Sequence, residues 1–356
     1  MDVGGAERVA MNIATPKDMC YEYHIVEVMR GTGAFSDEML REAKTKGIMV
    51  HRSPLPVLFR WHYLNERLCA MLFPLWFVWL WMKYRPQVIH THTEIPDMAI
   101  WWTMNIMPFI NSRVVRTIHN TRLWTGINVI GPKVERFMQA RRANLAISPN
   151  VKAEYTKRFG KDAEMPVIYN GVAPVEKRRY DRIVNGKKNI LFAGRFERQK
   201  GVSTLCKIVE GLKGDDRYVF HIFGDGTLKS EVETLKAENV FINPPKNGIA
   251  SIMSSFDYLL MPSEHEGLSI LAIEAAMNGL PVMINHVDGL YDVLPPEWPL
   301  TVHDNNIDEW LRLFEEILPK IDREGLKREA REYAMEHFSV EQMKKEYESY
   351  YSRTDI

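Results

Sequence analysis

The run Pro262–Val282, PSEHEGLSILAIEAAMNGLPV, decides how this sequence is read. Before it stands Tyr258–Met261, a short apolar run of strand length. After a polar loop comes a Leu-, Ile- and Ala-rich stretch, expected to open as a helix near Leu268-Ser269. Strand, loop and helix in that order form the repeating unit of a doubly wound α/β sheet, whose ligands bind beyond the carboxyl ends of the strands. The first amides of such a helix lack intrahelical partners, so those of Gly267, Leu268 and Ser269 are expected to form an anion cradle. Glu274 falls one to two turns into the helix, within reach of vicinal hydroxyls beside the anion, and Glu266 precedes the helix at the front of the cradle. Two merely exposed helix glutamates would not need this loop between them.

Outward from this run, the same grammar repeats. Ile190–Ala193 leads into Gly194, Arg195 and then Lys200-Gly201. Two cations at a strand end beside a helix start suit a diphosphate, the guanidinium as a planar fork and the ammonium as a point charge. Taken alone they read as solvated surface cations. Phe223-Gly224-Asp225-Gly226 ends a further strand, and its glycines permit either backbone approach to a ligand or a plain turn. Candidate strands recur at Tyr23–Val28, Ile48–Arg52, Val88–His92, Val114–His119, Leu145–Ser148 and Val167–Tyr169, and again at Val219–Phe223, Val240–Ile242, Pro281–Ile284 and Leu300–Val302. Helix-length patterns such as Ser36–Lys46, Pro96–Met107 and Pro132–Arg142 lie between them. Strands alternating with helices imply parallel sheets covered on both faces.

Two such series in 356 residues imply two doubly wound, Rossmann-like domains: residues 1–171, residues 172–335, and a terminal helix over 336–356 that crosses back to the first. The hinge is expected at Asn170-Gly171. The Gly4-Gly5 turn is preceded by only three residues, so the first strand of the first sheet is expected to lie upstream of Met1 or to be missing.

These motifs resemble the retaining glycosyltransferases of family 4 (glycosyl transferases group 1), which have the GT-B architecture. The resemblance rests on Glu266 and Glu274 with seven residues between them, on GR…KG at Arg195 and Lys200, and on the opening Gly4-Gly5-Ala6-Glu7-Arg8. It covers most of the chain and is more specific in the second half. It implies two Rossmann-like domains facing a cleft, with the acceptor in the first domain and a nucleotide sugar, UDP- or GDP-linked, in the second. Arg195 and Lys200 would hold the donor diphosphate, Glu274 the ribose, and Glu266 with Gly224, Gly267, Leu268 and Ser269 the rest of the donor. Gly4 and Gly5 would form the acceptor or phosphate loop. The implied activity is a hexosyl transfer with retained configuration to a glycan or lipid-linked acceptor in surface polysaccharide synthesis, with the nucleotide sugar as co-substrate and no cofactor. An epimerase-like enzyme of the same architecture, which would need no acceptor, and a non-catalytic relative are the alternatives.

In the first half, Thr117-Ile118-His119-Asn120 ends a candidate strand, and His119 is similar to the family's active-site histidine. An imidazole there can hydrogen-bond a sugar hydroxyl or manage a proton, and a satisfied structural histidine is the other reading. His90, His92 and Glu94 alternate in a way that a metal site would also use. The chain has no Asp-x-Asp pair, so neutralisation of the donor by Arg195, Lys200 and helix dipoles, independent of metal, is the expectation.

Lys plus Arg and Asp plus Glu both number 46, giving a formal net charge of zero and no global field toward nucleic acid. Cys20, Cys69 and Cys206 stand far apart, as isolated thiols of a reducing compartment. Leu68–Met82 is almost wholly apolar. It is short for a membrane span. It reads either as a core helix or as a face seated peripherally on the cytoplasmic side of a membrane, with Arg60, His62, Arg67, Lys83 and Arg85 at its flanks.

Overall fold

The computed structural model describes residues 5–15, 21–31, 34–55, 62–120, 123–124, 129–160, 165–235, 237–246 and 248–353. Gly4, Cys20 and Arg60 lie outside them, and Gly5 is described only as the first backbone position of a helix. The chain divides into two compact units, residues 1–171 with 340–356, and residues 172–339.

Unit 1 runs α1 (Gly5–Ala14), β1 (His24–Val26), α2 (Ala34–Thr45), β2 (Met49–His51), α3 (His62–Tyr84), β3 (Val88–Thr91), α4 (Glu94–Ile106), β4 (Arg113–Ile118), α5 (Gly131–Ala140), β5 (Asn144–Ala146) and α6 (Pro149–Phe159). All its strand pairs are parallel, in two sheets: β1-β2, and β3-β4-β5. The expected strand at Val167–Tyr169 reduces to a single bridge between Val167 and Ala146. Helix α6 has no counterpart among the patterns read from sequence. It starts where Ser148 accepts the Val151 amide at 3.2 Å and Pro149 fills the first turn, a start signal placed directly behind a strand.

Unit 2 runs β6 (Lys188–Ala193), α7 (Val202–Gly211), β7 (Tyr218–Phe223), α8 (Lys229–Glu233), β8 (Val240–Asn243), β9 (Tyr258–Met261), α9 (Ile270–Met277), β10 (Val282–Asn285), β11 (Thr301–Val302), α10 (Ile307–Arg312) and α11 (Arg323–Phe338). Among the described residues six strands form one parallel sheet in the order β11-β10-β9-β6-β7-β8. Every residue of β7, β9 and β10 is buried, as a parallel sheet covered on both faces requires. Both units are Rossmann-like α/β domains.

The last helix, α12 (Val340–Tyr351), belongs to unit 1. Met343, Tyr347 and Tyr350 pack with Val9 and Ile13 of α1, Val115 of β4 and Leu145 of β5. The Lys344 ammonium donates to the Thr15 carbonyl, and Tyr23 Oη lies 3.0 Å from the Glu348 carboxylate. The crossing falls at Ser339, four residues later than the boundary read from sequence.

The apolar stretch Leu68–Met82 lies inside α3, a 23-residue helix that runs through Pro74. The stretch has two characters. Cys69, Ala70, Phe73, Phe77, Leu80 and Trp81 are buried, whereas Met71, Leu75, Trp79 and Met82 form an exposed stripe, Leu75 at 72% and Trp79 at 56%. The stripe keeps one helix face by its spacing of three and four residues. No helix among the described residues is long and apolar enough to cross a membrane.

Candidate functional site

In unit 2 the chain leaves β6 toward one flank of the sheet (β7, β8) and returns at β9 toward the other, so the order reverses between β6 and β9. Ligands of open parallel sheets bind outside that reversal. The residues singled out from sequence meet there. Beyond β6, Gly194 and Arg195 lead into a short turn, Arg198–Lys200. Beyond β9 comes the loop that holds Glu266. Lys200 Nζ lies 2.6 Å from Glu266 Oε1, and Ser263 Oγ donates to the same oxygen at 2.9 Å. The Glu264 amide donates to the Gln199 carbonyl at 2.9 Å, and Gln199 Nε2 to the His265 carbonyl at 3.1 Å, so the two strand-end loops are stitched together. Glu266 is buried and Lys200 half-buried.

Close backbone packing makes this junction. Gly201 sits at φ +67°, and a Cβ there would lie 1.8 Å from the Pro262 carbonyl oxygen. A Cβ on Gly224 would lie 2.1 Å from the Gly194 carbonyl oxygen. Only glycine lets β7's exit touch β6's exit and lets α7 start against the β9 loop. Arg195 is exposed, with Glu197 close enough to feel its charge.

Helix α9 starts one residue later than the sequence indicates. Ser269 is its N-cap, the side chain accepting the Ala272 amide at 3.3 Å. The amide of Ser269 is already spent on the Gly289 carbonyl, at 2.9 Å. The cradle expected from Gly267, Leu268 and Ser269 therefore loses Ser269 as an open donor, and the unsatisfied amides of the helix start move to Ile270 and Leu271. Leu268 is buried, and Glu274 is half-buried on the second turn of α9. Gly289, a residue that no motif pointed to, holds this loop: its Cβ would lie 2.6 Å from the Glu266 carbonyl oxygen.

In unit 1, His119 follows β4 and His92 follows β3, with His92 Nδ1 3.2 Å from His119 Nε2. His90 continues the chain of contacts, 2.8 Å from Thr117 Oγ1 and 2.7 Å from Tyr351 Oη, while Thr117 Oγ1 is 2.9 Å from Tyr347 Oη. Helix α12 thus reaches the strand ends through two tyrosines. Burial pushes His92 down to about 4, and holds His90 and His119 well below the ordinary histidine value, with the neighbouring imidazoles adding to both. All three are neutral near pH 7. Among the described residues no group of three or more His, Cys, Asp or Glu is placed to hold a metal ion.

Sequence reading missed the buried cluster under these strand ends. Arg116 Nε pairs with Asp97 at 2.7 Å and Arg116 Nη1 with Glu135 at 2.9 Å, all three with side chains at most 3% exposed. Trp124 Nε1 and Tyr155 Oη donate to Glu135 at 2.5 and 2.6 Å, and Thr91 Oγ1 to Asp97 at 2.5 Å. The signal available was an arginine inside the apolar run Val114–Ile118.

The neutral histidines give a pH prediction. A histidine whose folded pKa lies below its unfolded one, about 6.5, adds stability that is complete above that value and lost as pH falls toward the folded one. Thermal midpoints should therefore drop as pH falls below about 6.5, with the His92 contribution lost by about pH 4. His92→Gln should reduce that loss by on the order of 1–3 kcal/mol. An unchanged pH slope in the variant would contradict the assignment.

Two family models divide the chain between them: residues 3–176 match Glycosyltransferase Family 4, and residues 187–319 match Glycosyl transferases group 1. The chain belongs to the GT-B glycosyltransferases. The 2-deoxystreptamine glucosyltransferase of Streptomyces kanamyceticus is 31% identical to this glycosyltransferase over 159 residues, 41% of either chain. An uncharacterized 41.2 kDa protein in the cps region of Klebsiella pneumoniae is 30% identical over 141 residues, 37% of this chain and 39% of the other. The glycosyltransferase thus spans about two-fifths of the length of these curated relatives. Solved structures agree on the fold. Anabaena Alr3699/HepE, crystallised with UDP and glucose, superposes with a TM-score of 0.74 at 14% identity over 99% of this chain and 97% of that one. A glycosyltransferase from Rickettsia africae superposes with 0.74 at 18% identity, over 99% and 95%.

Proposed function

We propose that this glycosyltransferase moves a hexose from a nucleotide sugar to a glycan or lipid-linked acceptor in surface polysaccharide synthesis, with retention at the anomeric carbon. The observation that carries the reading is the Lys200–Glu266 pair at the strand-order reversal of unit 2, beside the start of α9. Lys200 and Arg195 neutralise the donor diphosphate, joined by the first amides of α9. Glu274 accepts hydrogen bonds from the ribose hydroxyls. Glu266, held by Ser263 and Lys200, addresses the transferred sugar, with the backbone at Gly224 and Gly267 forming part of the donor site. Unit 1 binds the acceptor, and neutral His119, aligned by His92, contacts a sugar hydroxyl. Support for a uridine donor comes from the Anabaena structures, solved with UDP and with UDP-glucose.

In this mechanism the acceptor oxygen approaches the anomeric carbon from the face the diphosphate leaves. The bond from that carbon to the phosphate oxygen breaks, the bond to the acceptor oxygen forms, and the acceptor proton passes to the departing phosphate. Catalysis is positioning and charge stabilisation of the leaving group by fixed cations and amides. No divalent ion is required, so turnover should persist in chelator. Proton NMR of the product tests the stereochemistry: the coupling of the new anomeric proton should match that of the donor, and an inverted coupling would overturn the retaining mechanism.

The exposed stripe of α3 fits a peripheral membrane contact, which would bring the enzyme to a lipid-linked acceptor. Lys83 lies 5.2 Å from the Trp79 ring centre, placing a cation at the rim of the apolar face. Replacing Leu75, Trp79 and Met82 by Ser should abolish co-sedimentation with anionic liposomes and leave the thermal midpoint nearly unchanged, because these side chains are exposed. Unaltered co-sedimentation would dismiss the contact. Phe77 is buried and would report on folding instead.

A further inference from the structure

Two asparagines on the β10–β11 flank of unit 2 converge on the loop that carries Glu266. Asn285 ends β10, and Asn305 follows β11. Asn285 Nδ2 donates to the Ser263 carbonyl at 3.0 Å, and Asn305 Nδ2 to the Pro262 carbonyl at 2.9 Å. The Asn305 amide donates to Asn285 Oδ1 at 2.9 Å, and Trp310 Nε1 of α10 to Asn305 Oδ1 at 3.2 Å. Asn285, Ser263 and Trp310 are buried.

These contacts settle which way each side-chain amide points. An indole N–H and a backbone N–H only donate, so each must meet the oxygen of its asparagine. The Nδ2 group of both residues is then left facing a backbone carbonyl. Aspartate has the same shape but no N–H, and in either place its second oxygen would meet a carbonyl oxygen. The backbone restricts position 305 further. Asn305 sits at φ +51°, in the left-handed region that glycine and asparagine enter most readily. Of those two, only asparagine brings a donor and an acceptor.

The same loop is held from its other side. Gly201 packs against the Pro262 carbonyl, and the Glu264 amide donates to the Gln199 carbonyl at 2.9 Å. Ser263 Oγ then reaches Glu266 Oε1 at 2.9 Å. Bonds that merely tied β11 to β10 would end at Asn285. These run on to two successive carbonyls, the second belonging to the residue whose hydroxyl touches the Glu266 carboxylate.

We propose that Asn285 and Asn305 are positioning residues for Glu266. By gripping Pro262 and Ser263 they keep its carboxylate in one place beside Lys200. The inference rests on the reading of Glu266 as the group that addresses the transferred sugar. Its consequence falls on turnover, because a displacement of about 1 Å in a group at the reacting centre costs up to about 10²-fold in rate. The diphosphate contacts of Lys200 and Arg195 are left in place.

Asn285→Asp and Asn305→Gly test this, with transfer kinetics and donor calorimetry on each. Asn305→Gly keeps the left-handed backbone and removes only the side chain, so it reports even where the buried Asn285→Asp disturbs folding. Each should lower kcat by about tenfold or more, with donor Kd within about twofold of wild type. Added to Glu266→Gln, Asn305→Gly should cost little more, since the group it positions is already altered. Wild-type kcat in Asn305→Gly would overturn the proposal. So would a donor affinity that falls in step with kcat, or a double variant whose loss is the full product of the two single losses. A Glu266→Gln enzyme of unaltered turnover would overturn the reading of Glu266 and this proposal with it, whereas the other contrary results leave that reading standing.

Discussion

Lys200→Met should weaken nucleotide-sugar binding by about 100-fold or more and reduce transfer by about 10²–10³-fold, with the fold retained. The substitution keeps the length and apolar stem of the side chain and removes its charge. Two things are lost together: the cation for the diphosphate, and the 2.6 Å contact that fixes Glu266. Ser263 still holds one oxygen of Glu266 at 2.9 Å, and the Glu264–Gln199 backbone bond still ties the loops, so the junction survives the loss. Calorimetry with the donor separates affinity from turnover. A donor affinity within threefold of wild type would remove Lys200 from the site. Glu266→Gln is the companion: it keeps the shape, loses the charge, and should lower turnover more than donor affinity, because it addresses the sugar rather than the diphosphate.

Arg116→Met should destabilise the chain by about 3–5 kcal/mol, the cost of leaving buried charges unpaired. At roughly 2–4 °C per kcal/mol for a domain of this size, the midpoint should fall by about 6–20 °C. Arg116 is fully buried between Asp97 and Glu135, at 2.7 and 2.9 Å, and its removal strands two carboxylates in the interior. The guanidinium is held firmly cationic by them, against the desolvation that opposes it. Adding Asp97→Asn and Glu135→Gln to Arg116→Met should recover much of the loss, since no charge is then left alone. A single variant within 1 kcal/mol of wild type, or a triple variant no better than the single, would show that the cluster contributes little. The histidines lie directly above it: Thr91 bonds Asp97, and His92 is the next residue along the chain.

What was legible in the sequence is what repeats. Strand runs such as Val219–Phe223 and Tyr258–Met261 are continuous and apolar because they are buried on both faces, and they appear in the structure within a residue or two. The candidate residues of unit 2 stood out because glycines and charges interrupt those runs at strand ends, where only backbone proximity or a ligand explains them. Three kinds of feature were not. Pairings across long sequence separations, such as Ser269 with Gly289 or His90 with Tyr351, leave no local signature. A buried charge such as Arg116 looks like an irregularity in a strand until its partners, 19 residues away in either direction, are in place. An apolar helix that is core on one face and exposed on the other, as α3 is, carries nearly the same residues all round, so periodicity could not divide Phe77 from Trp79.

The central claim, a donor site at the sheet reversal of unit 2, is tested most directly by thermal protection with a panel of UDP- and GDP-sugars against the purified protein. A donor at 100 times its dissociation constant should stabilise by about 2.7 kcal/mol, and the shift should vanish in Lys200→Met. Protection by one nucleotide class, lost in that variant, is the predicted result. No protection by any nucleotide sugar, or protection that survives the loss of Lys200, would contradict it.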